Sequence, residues 1–114
     1  MPPIDRRQVV SDLYRAFNAG DRDAVEAILA DDLSFSSPLD VGLDRAGYFE
    51  RCWPGAGQRW ETEFVRMVES GDEVIVTYET TKPDGSRGRN TEVLTFGGDD
   101  RVTKVEVYFG WDVT

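Results

Sequence analysis

Histidine is absent from the chain, and cysteine occurs only once, at Cys52. The lack of histidine removes the side chain that enzymes use most often as a general base and that proteins use most often to bind zinc. A single cysteine excludes an intrachain disulfide and argues against a cysteine-based metal site. Acid–base chemistry would therefore fall to Asp, Glu, Tyr, Lys or a bound cofactor. We predict neither a metal nor a cofactor, since the pairs Asp31-Asp32 and Asp99-Asp100 are typical of turns and helix ends.

Long apolar runs and an excess of basic residues are also missing. The N-terminal segment MPPIDRRQVV has no apolar stretch of signal-peptide length, and no segment is apolar enough to span a bilayer. The 13 lysines and arginines are outnumbered by 22 aspartates and glutamates, for a net charge of −9. Such a surface repels phosphate backbones and anionic lipids. We therefore expect a cytoplasmic protein without a nucleic-acid or membrane partner.

The first half of the chain carries helical patterns. Asp5 and Gln8 resemble a capping box at the start of a helix that Gly20 is expected to end. Asp21 and Asp44 are expected to cap a second helix and a short third one, which a Pro-Gly pair breaks. The predicted apolar residues are Val10, Leu13, Tyr14 and Phe17 in the first helix, Val25, Ile28 and Leu29 in the second, and Phe49 and Trp53 in the third.

The second half carries strand patterns. A short strand is predicted at Leu33 and Phe35, which alternate with polar residues. Turn signals separate four later segments that are rich in β-branched and aromatic residues: 60–69, 73–82, 88–96 and 102–111. Because helices come first and hairpin-connected strands follow, we predict one α+β domain over residues 1–114, with three N-terminal helices on one face of an antiparallel sheet.

Alternation along the strands defines an inner face that meets the helices. This face comprises Val74, Val76 and Tyr78; Glu92, Leu94 and Phe96; and Val105, Val107 and Phe109. Glu92 is the one acid among these residues, and a buried carboxylate is costly unless it is paired, hydrogen-bonded or protonated. Two interpretations stay open: Glu92 is solvated or bonded at a strand end, or it belongs to a ligand pocket. Trp60 and Trp111, at strand ends, are candidates for the mouth of such a pocket or for ordinary packing.

Two segments carry a resemblance to a known superfamily: YRAFNAGDRDAVEAILADDLSFSSP and EVLTFGGDDRVTKVEVYFG. They resemble the SnoaL-like, ketosteroid-isomerase-like branch of the nuclear transport factor 2 superfamily, with matching element order over nearly the whole chain. The resemblance implies a cystatin-like cone, with three helices and a curved sheet around an apolar cavity. It also implies a small apolar or polycyclic ligand and a homodimer through the outer sheet face, which carries Val93, Glu106 and Tyr108.

The steroid-isomerase pattern is only partly present. In those enzymes a general base precedes the proline after the first strand, and the matching position here is Ser37. The isomerase tyrosine matches Leu13, and we expect the neighbouring Tyr14 to point elsewhere by a quarter turn or more. The protonated acid of the isomerase oxyanion hole matches Glu92. One of the three groups is therefore retained, as a longer acid.

Other branches of the superfamily match no better. Limonene-epoxide-hydrolase-like members use an arginine and two aspartates, and the matching positions are Asn90, Glu92 and Val107. SnoaL-like cyclases and scytalone-dehydratase-like members depend on histidine, which this chain lacks. Each family catalytic set is therefore incomplete, and the resemblance identifies a fold better than a reaction.

Glu92 and Tyr78 are the candidate catalytic residues. The predicted ligand-binding residues are Leu13, Tyr14, Phe17, Ser37, Trp53, Val76, Asn90, Leu94, Val107 and Phe109. Three functions stay open: small-molecule binding with isomerase, cyclase or lyase chemistry at Glu92; binding without chemistry; and a protein-interaction role. A ligand-sized void beside Glu92 would favour the first function, and a filled interior would favour the third.

Overall fold

The computed structural model describes residues 4–113, apart from the side chain of Asp112. The helices are α1 (Arg6–Ala19), α2 (Arg22–Ile28) and α3 (Arg45–Arg51), and a 3-10 turn follows at Trp53–Gly55. Asp5, Asp21 and Asp44 each accept a backbone N–H at a helix start, which confirms the three predicted N-caps. Gly20 ends α1 with a φ of 73°, a conformation that glycine adopts without strain. Among residues 4–113 no helix is long and apolar enough to cross a membrane, and the cytoplasmic location stays a prediction.

The strands form one five-stranded sheet in the order β1-β5-β4-β3-β2. They are β1 (Leu29–Ser36), β2 (Glu61–Ser70), β3 (Glu73–Thr81), β4 (Arg87–Phe96) and β5 (Val102–Asp112). Strands β2 to β5 are antiparallel neighbours, as their turn signals predict, whereas β1 pairs parallel with β5. The predicted α+β fold is confirmed, and the sheet is mixed because of this one parallel pair. No local turn signal in the sequence predicts a parallel pair between strands that are distant along the chain.

The hydrophobic core fills one end of the space between the helices and the sheet. Its largest fully buried side chains are Val10, Val25, Leu29, Val74, Val76, Leu94 and Val102. Register places Val74 opposite Leu94 and Leu29 opposite Val102, at the sheet end away from the β3–β4 hairpin. Each such side chain contributes about 1.5–3 kcal/mol by leaving water. The hairpin end of the same inner face is less tightly filled, and the cavity described below opens there.

Three local predictions differ from the structure. Leu29 begins β1 and does not extend α2, although its N–H still bonds the Val25 carbonyl at the helix end. Helix α3 ends at Arg51, so Trp53 begins the 3-10 turn, since the following proline cannot donate a helical hydrogen bond. The capping box is incomplete, because the Gln8 amide donates to the Asp12 carboxylate at 3.0 Å and not back to the helix start.

Candidate active site

A cavity of about 590 Å³ lies between the helices and the inner face of the sheet. Its walls come from α1, α3, β1 and the facing residues of β3, β4 and β5. The lining residues that are exposed to solvent are Lys82, Arg87, Gly88, Phe109, Gly110 and Trp111. All six lie at the β3–β4 hairpin or beside it on β5, so the cavity opens at that end of the sheet. Its volume falls in the range typical of small-molecule sites.

Glu92 lies in the cavity wall, held by a tyrosine on the neighbouring strand. The Tyr78 hydroxyl donates a hydrogen bond to Glu92 Oε2 with a length of 2.6 Å. Tyr78 in turn accepts a long contact of 3.5 Å from the Asn90 side-chain amide, whose Oδ1 accepts the Gly110 N–H at 3.2 Å. The chain of donors runs from the β5 backbone to the carboxylate. It fixes the rotamers of Tyr78 and Glu92 and leaves the second carboxylate oxygen for another partner.

Tyr14, on α1, brings a second hydroxyl to the same carboxylate. Its ring packs on Tyr78 with centroids 5.0 Å apart and on Phe64 at 5.5 Å. The Tyr14 hydroxyl oxygen is buried and has no hydrogen-bond partner among the described residues. It nevertheless lies close enough to Glu92 to affect the pKa of the carboxyl group. A buried hydroxyl without a partner is costly, so this donor is available to a ligand oxygen.

The electrostatics of the site follow from burial. Glu92 keeps some accessible surface because it lines the cavity, and its carboxyl group is otherwise enclosed by protein. Burial is the largest influence and raises the pKa of Glu92. The hydrogen bond from Tyr78 opposes that increase, and so does the Tyr14 hydroxyl, which lies near the carboxyl group without a hydrogen bond of regular geometry. Burial, reinforced by the charge of Glu92, also raises the pKa of both tyrosines. Both hydroxyls therefore stay protonated near neutral pH and remain hydrogen-bond donors.

The mouth of the cavity is shaped by a β-bulge in β5. Gly88 pairs with Asp112 and Asn90 with Phe109, so β5 has one extra residue over this interval. A Cβ added at Gly110 would collide with the carbonyl oxygen of Arg89, so the bulge requires glycine at this position. The bulge lets consecutive β5 residues, Phe109 to Trp111, all line the cavity.

Seven of the predicted site residues meet at this cavity. They are Leu13, Tyr14, Phe17, Tyr78, Asn90, Glu92 and Phe109. Phe109, although assigned to the inner face, is 52 % exposed, because it lies at the mouth and not in the core. Their roles in binding or catalysis stay predictions, while their convergence on one space is a feature of the fold.

Five predicted site residues lie outside the cavity lining. Val76 and Leu94 are fully buried in the core, and Val107 packs against the core. Trp53 packs edge-on against Phe17, with centroids 5.7 Å apart, so it supports the wall from behind. Strand alternation assigns a side chain to a face of the sheet, but it does not say whether a helix covers that part of the face.

Ser37, the fifth of these residues, belongs to a loop. Its hydroxyl oxygen accepts the backbone N–H groups of Leu39 and Asp40 at 3.2 and 3.4 Å. The Ser36 hydroxyl likewise accepts the Gly42 N–H at 2.9 Å. The two serines therefore stabilise the turn after β1, as short hydroxyl side chains commonly do. The structure thus places no base at the position that matches the steroid-isomerase aspartate.

The expectation for Tyr14 is wrong, since both Leu13 and Tyr14 line the cavity. Leu13 is 8 % exposed and fills the wall, whereas the longer Tyr14 reaches the carboxylate from the adjacent helical position. The cavity lining also includes residues that the sequence patterns did not predict: Tyr48 on α3 and three basic residues at the mouth, Lys82, Arg87 and Arg89. Lys82 continues the period-two pattern from Tyr78, so that signal was present in the sequence.

The remaining polar groups of the cavity include a thiol. Cys52 lines the wall, and burial raises the pKa of its thiol, so it remains a neutral, weakly polar group near neutral pH. In the part of the chain that the structure describes, no three Asp, Glu, Cys or His residues are grouped to hold a metal ion.

Comparisons with known proteins agree with this architecture. A SnoaL-like protein of unknown function from Burkholderia thailandensis is 25% identical, with a TM-score of 0.74 and coverage of 96% of this chain and 100% of that one. An NTF2-like protein of unknown function from Cytophaga hutchinsonii is 20% identical, with a TM-score of 0.71 and coverage of 96% and 93%. The epoxide hydrolase/cyclase-like enzyme SalBIII, which has a role in pyran ring formation in the polyether salinomycin, is 19% identical, with a TM-score of 0.73 and coverage of 92% of this chain and 90% of that one.

At these identities the likeness to solved structures reflects a shared fold. A search of curated protein sequences finds no match. The SnoaL-like domain model matches residues 10–105, which include most of α1, all of α2 and α3, and most of the sheet. The chain therefore belongs to the SnoaL-like domain family.

Proposed function

We propose that this SnoaL-like domain binds a small apolar or polycyclic molecule and acts on it as an isomerase, cyclase or lyase with Glu92 as acid or base. One observation carries the proposal. A ligand-sized cavity contains one carboxylate, Glu92, which is held at 2.6 Å by Tyr78 beside the unpartnered hydroxyl of Tyr14. Such a convergence of a few polar groups in an apolar pocket is typical of catalytic and binding sites.

In its protonated form, Glu92 can act as an acid. The Tyr78 hydroxyl donates to Oε2, so a proton on the other carboxylate oxygen can be donated to a ligand carbonyl oxygen. The Tyr14 hydroxyl can donate to the same ligand oxygen. Two donors aimed at one oxygen would stabilise the negative charge that develops there in an enolisation or addition. The raised pKa of Glu92 supports this form over a wider pH range than is usual for a glutamate.

In its ionised form, Glu92 can accept a proton from a carbon or hydroxyl group of the ligand. The hydrogen bond from Tyr78 stabilises that form, and Asn90 holds Tyr78 in place. No second base is needed if the same carboxylate takes the proton from one ligand atom and returns it to another, as in an isomerisation. In a lyase reaction, the proton would instead go to the leaving group or to solvent.

Binding without chemistry is the alternative that a specific observation favours. The position of the steroid-isomerase base holds Ser37, and its hydroxyl is engaged by two loop amides. A site with donors and no second base suits recognition of a ketone or an alcohol as well as its conversion. A protein-interaction role without a ligand gains no support from an open cavity of this size.

The test uses a neutral fluorescent probe, N-phenyl-1-naphthylamine, for binding and a β,γ-unsaturated steroid ketone for turnover. We expect Glu92→Gln to change affinity for the probe by less than about tenfold, equivalent to 1.4 kcal/mol, and to abolish conversion of the ketone to its conjugated isomer. Glu106→Gln, a carboxylate on the outer face, is the matched control and should alter neither. Binding without turnover in the wild type would select the alternative, and the absence of both would overturn the proposal.

We also propose that the protein forms a homodimer through the outer sheet face. Val68 and Tyr108 on this face are 53 % and 54 % exposed, and Val93 lies between their strands. Apolar and aromatic residues of this kind are enriched in interfaces. Sedimentation at micromolar concentration should give twice the chain mass of 12.8 kDa, and Tyr108→Arg should lower the dimer fraction. A wild-type protein that sediments only as a monomer would contradict this proposal.

A further inference from the structure

The mouth of the cavity has a charge opposite to that of the protein as a whole. The chain carries a net charge of −9, yet Lys82, Arg87 and Arg89 all line the cavity. Glu92 is the one acid in that lining, and it lies at the inner end. The lining contains more basic residues than acids, whereas the chain has 13 basic residues and 22 acids, so the mouth differs from the rest of the surface in the ligand charge that it favours.

Lys82 is the cation that is best placed to meet a ligand. Its ammonium nitrogen lies 5.1 Å from the centre of the Trp60 ring, and it makes no ion pair within residues 4–113. Hydrogen bonds from Ser86 are the larger cause of the lowered pKa of Asp84, on the hairpin turn, and Lys82 contributes to lowering it. The Asp84 carboxylate accepts hydrogen bonds from the Ser86 N–H and hydroxyl at 2.9 and 2.6 Å. The charge of Lys82 is therefore only partly offset.

The two arginines are more engaged. Arg89 is 3.5 Å from the carboxylate of Glu79, which offsets part of its charge. Arg87 donates to the Val113 carbonyl at 3.5 Å, and it makes further contacts. These contacts hold both guanidinium groups at the rim. They add positive potential there, while Lys82 provides the flexible donor.

Aromatic surface lies beside these charges. Phe109 is 52 % exposed and Trp111 is 73 % exposed, and both line the cavity at the β5 bulge. Exposed aromatic rings at a cavity mouth offer a surface for the apolar body of a ligand. Along β4, Glu92 and Gly88 are four residues apart, which corresponds to about 13 Å between the inner site and the mouth.

We propose that the cavity takes an elongated amphipathic anion. Its carbonyl or hydroxyl oxygen would meet Glu92, its apolar body would pack along the wall, and its carboxylate, sulfate or phosphate would meet Lys82 at the mouth. This inference rests on the proposed function, because it concerns the ligand of the same cavity. Beyond the proposed function, it specifies the charge of the ligand, its length and its orientation in the cavity.

The experiment compares two probes that share an apolar body. 1-Anilinonaphthalene-8-sulfonate carries a sulfonate, and N-phenyl-1-naphthylamine lacks it. Affinities are measured by fluorescence for the wild type, Lys82→Gln and the matched control Lys104→Gln, which alters the chain's other lysine on the outer sheet face. Backbone amide shifts at Glu92 and Phe109 locate each probe in the cavity. Far-ultraviolet circular dichroism verifies that the variants are folded.

We expect Lys82→Gln to weaken binding of the anionic probe by about threefold and binding of the neutral probe by less than about 1.5-fold. Lys104→Gln should leave both affinities unchanged. Raising the ionic strength from about 0.05 M to about 0.5 M should weaken binding of the anionic probe and leave binding of the neutral probe unchanged. Equal effects of Lys82→Gln on both probes, or none, would overturn the charge assignment while the cavity remains a binding site. If neither probe shifts the cavity amides, both this inference and the proposed function fail.

Discussion

The sheet carries a tyrosine–glutamate hydrogen bond on each of its two faces, and the two pairs differ in nearly everything but residue type. On the inner face, Tyr78 donates to Glu92 at 2.6 Å between neighbouring strands. On the outer face, Tyr108 donates to Glu106 at 3.3 Å within a single strand, and Tyr108 is 54 % exposed. The inner pair is enclosed by a cavity wall, and the outer pair is open to solvent.

The comparison shows that burial, and not the pairing of residue types, makes a carboxylate a candidate for chemistry. Water screens and solvates the outer pair, so a hydrogen bond there contributes little. Burial reduces solvent screening at the inner pair, so each donor and acceptor there has a larger effect on stability and on proton affinity. Matched substitutions on the two faces test this difference directly.

The largest effect is expected from the apolar residues that flank the two pairs. Leu94→Ala removes a fully buried side chain from the core and should lower the free energy of unfolding by about 2–5 kcal/mol. Val93→Ala, one residue away on the outer face, should cost about 1 kcal/mol or less. Urea denaturation of both variants measures the losses. Equal losses would mean that the outer face is as well covered as the inner one.

The second prediction concerns the hydroxyl donors. Tyr78→Phe leaves Glu92 without its closest partner, so we expect a loss of about 1–3 kcal/mol at neutral pH. In a single protomer, where the outer face is uncovered, Tyr108→Phe should change stability by less than about 0.5 kcal/mol, because water replaces the lost donor. Both variants keep the ring, so packing changes little. A loss for Tyr108→Phe as large as that for Tyr78→Phe would remove the distinction between the two faces.

The third prediction concerns pH. Because burial raises the pKa of Glu92 in the folded protein, the folded state holds this proton more tightly than the unfolded chain. The associated stability is present below the usual glutamate pKa and is lost as the pH rises through the raised value. Glu92→Gln has no such proton, so its free energy of unfolding relative to the wild type should increase between about pH 4 and pH 8. The increase should be about 1.4 kcal/mol for each tenfold difference in the proton affinity of Glu92 between the folded and unfolded states.

The control for that experiment is Glu106→Gln, whose carboxylate lies on the outer face. Its stability relative to the wild type should stay within about 0.5 kcal/mol over the same pH range. Unfolding curves in urea at several pH values provide the comparison. If the difference between Glu92→Gln and the wild type is flat with pH, the carboxyl group of Glu92 is solvated in the folded protein, and if it decreases with pH, hydrogen bonding outweighs burial and lowers the pKa of Glu92.

The inner pair illustrates how far the sequence predicts this site. Strand alternation places Glu92 and Tyr78 on one face, and the hairpin turns bring their strands together, so their proximity follows from local patterns. The same alternation assigns Val76 and Leu94 to the site, where the structure shows core residues. Alternation identifies a face, but the position of α1 over the sheet decides which part of that face stays open.

Residues that depend on irregular geometry are harder to predict. The β5 bulge at Gly110 places Trp111 on the cavity side, and a strict period of two cannot describe it. Ser37 lies at the position predicted from the superfamily pattern, but loop hydrogen bonds determine where its hydroxyl points. The parallel pairing of β1 with β5 is likewise set by contacts between the two halves of the chain. Local sequence patterns contain no information on such distant pairings.

A change in stability of the opposite sign is expected for the third hydroxyl of this comparison. The Tyr14 hydroxyl is buried, but it has no hydrogen-bond partner among the residues that the structure describes. Tyr14→Phe should therefore leave the free energy of unfolding unchanged or raise it by up to about 1 kcal/mol, because an uncompensated polar group leaves the interior. It should also weaken binding of a steroid ketone, because the ligand oxygen loses a donor, while affinity for N-phenyl-1-naphthylamine, which has no carbonyl, stays the same. Urea denaturation and titration with both ligands measure these changes. A loss of stability like that of Tyr78→Phe would show that the Tyr14 hydroxyl already donates to Glu92 in the free protein. Neither tyrosine hydroxyl would then be available to donate to a ligand.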